Sequence, residues 1–173
     1  MTLAAIEEMT DVLDAPVFGG GLPPEAENLL RQAGQYYDQA ETALAYLREA
    51  RRLAPDHAAV LIGLYRFFFY KGRLAEALEI AQTCLLRAAI DNSLPLDWRL
   101  ARPGQAAFAS FDAPMARFFM FVLKGYAYLN MRLGDIEEGR AAVMKLLELD
   151  PSDKVGAAVL LAILQQRERD DVD

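Results

Sequence analysis

Few residues in this chain could do chemistry, and their spacing limits what that chemistry could be. Cys84 is its only cysteine and His57 its only histidine. A single cysteine forms neither an internal disulfide nor a C-x-x-C metal or redox motif. A single histidine excludes any site that needs two, and a Ser-His-Asp arrangement would have to use His57, in a turn-forming stretch beside Pro55. The carboxylate pairs Glu7-Glu8, Glu137-Glu138 and Asp170-Asp171 are adjacent in sequence. Neighbours on a helix point to different faces, whereas acid–base work needs carboxyls about 5–10 Å apart across a cleft. Cys84 falls at a small inward position, where a packed thiol is expected rather than a reactive one. Gly19-Gly20-Gly21 follows no strand and precedes no Lys-Ser/Thr, so it does not read as a phosphate loop. The expectation is a protein with no catalytic residues, no metal and no cofactor.

Composition narrows the partners. The chain has 173 residues, is 54% hydrophobic and 25% charged, and carries a net charge of −7. One domain is expected at this length. The negative charge disfavours nucleic acid and anionic membrane surfaces. No apolar stretch approaches the roughly 20 residues of a spanning helix. Leu64 to Tyr70 is apolar but contains Arg66 and stops at Lys71. The first residues carry Glu7, Glu8, Asp11 and Asp14 without a cation, the opposite of a secretory signal. A cytoplasmic location is expected.

Nearly everything after Pro23-Pro24 has helical period. Leu29, Leu30, Ala33, Tyr36 and Tyr37 make one apolar face, and Ala40, Ala43, Leu44, Leu47 and Ala50 another, on a helix of about 38–53. Further helices are expected over about 58–71, 74–89, 114–133, 136–149 and 154–165. On the last, Val155, Val159, Leu160 and Ile163 would cover the open end of the fold. Residues 91–113 break the period with Pro95, Pro103 and Gly104 and hold the only tryptophan, Trp98; an ordered loop with a helical turn is expected there. Residues 1–22 read as a short helical arm with Leu3, Ile6, Met9 and Leu13 on one face, ended by Pro16 and a glycine hinge. Such an arm either caps its own chain, covers a groove or exchanges between subunits. The domain then spans 23–166, with the insertion at 91–113 and a charged tail at 167–173. No strand pattern occurs, so the fold class is all-α.

A period lies beneath these helices. Ala43 and Ala77 are 34 residues apart (77 − 43), each in the second helix of a pair. Gly72 and Gly134 stand at equivalent turns, and Pro55 and Pro151 both follow a second helix. This resembles the tetratricopeptide repeat, a 34-residue helix-turn-helix unit. The units are about 24–57, 58–90 and 120–153, with the insertion between the second and third. Arg31, Asp38, Tyr65 and Gly139 depart from the usual pattern. The resemblance implies a right-handed superhelix of about three pairs, with an N-terminal arm, an inserted loop and a C-terminal capping helix. It also implies a concave groove that binds a protein or peptide.

Carried over position by position, the groove would be lined by Asn28, Gln32 and Tyr36, then Ile62, Arg66, Phe69 and Tyr70, then Lys124, Tyr128, Met131 and Arg132. Tyr36, Arg66, Phe69, Tyr70, Lys124, Tyr128 and Arg132 are the candidate contacts. Three of the eleven are cations and none is an anion, so the expected partner carries acidic and apolar residues. Aromatic and Arg side chains are the usual interface anchors. The alternative reading is that the Phe67–Phe69 run is mostly core and the cations face water. The resulting expectation is a non-enzymatic adaptor or assembly chaperone. It is also similar to the class II chaperones of type III secretion, which hold apolar segments of secreted substrates, and a regulatory subunit of an enzyme complex is a further option. Surplus aromatics and a short array favour a homodimer.

Overall fold

A computed structural model of the chain describes residues 20–170, so the arm over residues 3–13 and the last three residues lie outside the described part. The described residues form seven α-helices and no strand: α1 (Pro24–Gln35), α2 (Ala40–Leu53), α3 (Ala58–Tyr70), α4 (Leu74–Asp91), α5 (Pro114–Leu133), α6 (Ile136–Leu149) and α7 (Ala158–Asp170). Short turns join α1 to α2, α3 to α4 and α5 to α6, so each pair packs antiparallel. Two of the turns reverse on glycine: Gly72 and Gly134 have φ of +73° and +97°. Side chains with a Cβ rarely adopt that conformation.

Helix starts follow local chemistry. Pro24 occupies the first turn of α1 and Pro114 that of α5, where the missing N–H costs nothing. His57 caps α3, its Nδ1 accepting from the Ala59 amide, and Asp135 caps α6 by accepting from Glu138 N. Because His57 Nδ1 accepts, Nε2 carries the proton and donates to Gly20 O at 2.8 Å. The lone histidine is thus held on both nitrogens by backbone.

The core runs through all the pairs. Ala43, Ala77, Ala81, Ala88 and Ala142 are fully enclosed, which lets helices approach closely. Cys84 is buried among them at 1% exposure. Burial pushes its thiol up from 9.0 to about 12. Helix α5 is buried on almost every face, with Phe118, Phe119, Met120 and Leu123 enclosed. Each such side chain contributes about 1.5–3 kcal/mol relative to leaving it exposed. The insertion covers what the neighbouring helices do not. Its single 3-10 turn, Trp98–Leu100, sets Trp98 against Tyr126 at 6.0 Å, and Phe108 meets Phe119 at 5.9 Å. Arg99 pairs with Glu138, and Lys145 Nζ donates to Ala101 O at 3.0 Å, tying the loop to α6.

Three expectations need correction. The first helix ends at Gln35, so Tyr36 and Tyr37 stand in the turn rather than on its apolar face. The last helix begins at Ala158, not near Lys154, and runs to Asp170, into the stretch read as a charged tail. Asp153 sets that start: its carboxylate accepts from the Ala157 and Ala158 amides, while Gly156 turns the chain with φ of +70°. The covering stripe shifts accordingly: Val155, Ala157, Leu160 and Leu164 are buried, but Val159 is 58% exposed and Ile163 37%.

Candidate functional site

An apolar concavity of about 530 Å³ lies between α1, α2 and α3. Leu30, Ala33 and Gly34 of α1 form one wall, and Phe67 and Tyr70 of α3 the other. Leu47 of α2 and Gly63 of α3 lie beneath. Gly63 lets two leucines close on the helix: a Cβ there would meet Leu47 Cδ2 at 3.3 Å and Leu30 Cδ2 at 3.4 Å.

The electrostatics are one-sided. Arg66 lines the groove, no acidic residue does so among those described, and Lys71 Nζ lies 3.9 Å above the Tyr37 ring beside it. Tyr37 packs edge-on against Phe67 at 6.2 Å. Its hydroxyl pKa is raised above 10.0, by burial first and then by Tyr70 and Asp38, with Arg66 opposing.

From Tyr70 an aromatic lane leads toward α5. Tyr70 meets Phe69 at 5.8 Å, and Phe69 meets Tyr128 at 5.8 Å. Arg132 Nη1 donates to Tyr128 Oη at 2.6 Å, on the next turn of α5. The structure therefore brings Arg66 and Tyr70 into the groove and strings Phe69, Tyr128 and Arg132 along its continuation. Of the Phe67-Phe68-Phe69-Tyr70 run, the first two are buried, Phe69 is half-buried and Tyr70 is 40% exposed.

No model of any protein family matches the chain, and no solved structure matches it. An uncharacterized 19.8 kDa protein in the nifW 5′ region of Azotobacter chroococcum mcd 1 is 38% identical over 150 residues, covering 86% of this chain and 83% of that one. This chain belongs to the family of that protein.

In this family member only Arg66 and Tyr70 of the seven candidate contacts line the groove; Phe69, Tyr128 and Arg132 lie beyond it, and Lys124 and Tyr36 are held elsewhere. Lys124 is 8% exposed and its Nζ donates to Val155 O at 2.5 Å, so it ties α5 to the turn before α7 instead of facing a groove. Tyr36, at the end of α1, packs on Tyr46 at 5.8 Å and does not line the concavity. Ile62 and Met131 are likewise buried, at 5% and 4%. Asn28 is held locally, accepting from Arg31, and neither it nor Gln32 lines the groove. Residue-by-residue carry-over missed Tyr37, Phe67 and Gly63. Gly63 did leave a signal, because a glycine inside a helix costs about 1 kcal/mol against alanine and so marks a packing need.

A second concavity of about 360 Å³ lies where the chain enters the described part, lined by His57, Asp56, Arg87 and Asp91 among others. Arg87 and Asp91 are paired at 2.9 Å, and the His57 nitrogens are already bonded. Among the described residues no group of three His, Cys, Asp or Glu side chains could hold a metal, and no helix is long and apolar enough to cross a membrane.

Proposed function

We propose that this protein is a binding module of the tetratricopeptide type, without catalysis of its own, that holds an apolar, acidic segment of a partner protein in the groove between α1, α2 and α3. One observation carries the reading: an apolar groove of about 530 Å³ edged by Arg66 and Lys71 in a chain of net charge −7. Local positive charge against an overall negative chain selects acidic segments and rejects basic ones. Tyr70 is the anchor, being exposed at the groove and backed by Phe69. The consecutive helix pairs and the 34-residue spacing of Ala43 and Ala77 support the repeat reading.

The relative is described by its place in the nifW 5′ region, so products encoded beside nifW are the first partners to test. Calorimetric titration of the full chain with each product is the experiment. Tyr70→Ala is expected to weaken binding by about 1–3 kcal/mol, and Arg66→Glu to weaken it further by facing the partner with a like charge. Added salt changes affinity only modestly, because it screens the overall repulsion and the local attraction together. Binding unaffected by both variants excludes the groove.

A further inference from the structure

The walls of the groove offer a guest side chains and few peptide groups. They belong to the helices α1 and α3, whose N–H and C=O groups bond within their own helix. An extended guest pressed between them would leave its own N–H and C=O groups against apolar walls, each at the cost of a lost hydrogen bond. A helical guest satisfies these groups internally. The spacing agrees. Gly63, Arg66, Phe67 and Tyr70 of α3 fall at i, i+3, i+4 and i+7 and cover about 10 Å, two helical turns. Over that length a helix presents an apolar stripe of three or four side chains. A strand rising about 3.3 Å per residue has about three residues there, and alternate ones point away.

The groove also has a direction. Leu30 Cδ2 lies against Gly63, while Tyr37 packs on Phe67 and lies under Lys71, so the two walls run the same way along the chain. The C-terminal ends of α1 and α3 therefore meet at the Tyr37 end of the groove. Neither helix carries a cation in its last turn, and Asp38 follows Tyr37 there. Helix C-termini carry partial negative charge, so this end favours the positive N-terminal end of a guest helix. Lys71, the residue that caps α3, stands ready for an acid in the guest's first turn. Arg66 lies five residues back along α3, about 7.5 Å, which an acid one turn further along the guest meets.

We propose that the segment held in this groove is a two-turn amphipathic helix running antiparallel to α1 and α3. Its apolar stripe seats against Leu30, Leu47 and Phe67, an acid of its first turn faces Lys71, and an acid of its second faces Arg66. This inference rests on the groove being a binding site and adds the form and direction of what it takes.

The test uses the full chain and a capped twelve-residue peptide, with leucine at positions 3, 7 and 10 and glutamate at positions 2, 4, 6 and 8, so that both flanks of its N-terminal part are acidic. Alanine and glutamine fill the rest. Amide spectra of the protein are expected to shift saturably at the groove-lining residues, and Tyr70→Ala to weaken the binding. Proline at the outward position 5 removes no groove contact but breaks the helix, and is expected to weaken binding about a hundredfold. A nitroxide at the peptide's N-terminus is expected to broaden the amides of residues 36–38 and 70–73, and one at its C-terminus those of 28–31 and 61–64. A proline peptide that binds as tightly as the parent would overturn the helical form. The opposite broadening pattern would overturn the direction, and equal binding by a peptide with lysine for every glutamate would overturn the charge pairing. Where any of these results appears and Tyr70→Ala still weakens binding, the groove stands as a binding site and only this inference falls. If none of the peptides shifts the lining residues, this inference falls outright, and titration with the products encoded beside nifW decides the groove separately.

Discussion

The hydroxyl of Tyr65, on α3, points at the bare α-carbon of Gly125, on α5. A Cβ at position 125 would collide with that oxygen and meet Tyr65 Cζ at 3.2 Å. Tyr65 is 5% exposed, and its hydroxyl finds no hydrogen-bond partner among the described residues. Burial holds the phenol above its ordinary value of 10.0. The approach of α3 to α5, which carries the aromatic lane from Tyr70 to Tyr128, rests on this small-against-large fit.

Gly125→Ala is therefore expected to lose about 1–3 kcal/mol by overpacking. Tyr65→Phe removes the colliding, unsatisfied oxygen and is expected to be near neutral or stabilising, since an orphaned buried hydroxyl itself costs about 1–3 kcal/mol. The double variant should recover most of the loss. Urea denaturation of the four proteins closes the cycle, and strictly additive effects would remove this contact as the cause.

Two helical glycines should respond with opposite sign. A Cβ at Gly139 would stand 2.5 Å from Met131 Cγ and 3.0 Å from Ala127 O, so Gly139→Ala is expected to destabilise despite the better helix propensity of alanine. Gly34 is exposed with open space around it, so Gly34→Ala is expected to gain about 0.4–1 kcal/mol by restricting the unfolded chain. Thermal unfolding of the two single variants reads both signs.

Lys124 should behave as a structural residue. Lys124→Met removes the charge-assisted bond to Val155 O and is expected to lower stability by about 1.5–3 kcal/mol. The loss should be seen in thermal unfolding of the full chain. A Lys124→Met protein as stable as the parent would show that the bond to the turn before α7 carries no weight.

Alkali should weaken the fold through its buried thiol. In the unfolded chain Cys84 loses its proton near 9.0, while the folded chain holds it until about 12. The folded state binds more protons across that window, so this contribution is full below pH 9 and is lost as pH rises through 12. Tyr126, raised to about 12 by burial and then by its bond to Glu138, adds in the same direction. Denaturation midpoints between pH 7 and pH 11 measure the fall. The thiol of the native protein is expected to resist a disulfide reagent at pH 8 and to react once denaturant is added.

Much of the architecture was legible from residue order, because it is local. Pro114 and Gly134 bound α5, and Ile136 and Leu149 bound α6, where the apolar period placed them. Capping prolines, turn glycines and a 3.6-residue apolar period act within a few residues, so they can be read along the chain. The inward placement of Cys84 and of the small residues Ala43 and Ala77 was legible for the same reason.

Packing between distant segments decided the rest. Lys124 sits at a position that looks solvent-facing along α5, but Val155, 31 residues later, folds over it and accepts from its ammonium. Tyr36 and Tyr37 are neighbours with the same side chain, yet one packs on Tyr46 and the other borders the groove, because α1 ends between Gln35 and Tyr36. Position 63 becomes groove only where Leu30 and Leu47 converge on it, from 33 and 16 residues away (63 − 30; 63 − 47). Helix period fixes which residues share a face; which face meets another helix, a loop or water is settled by segments far apart in the chain, and a pattern confined to one helix carries no record of them.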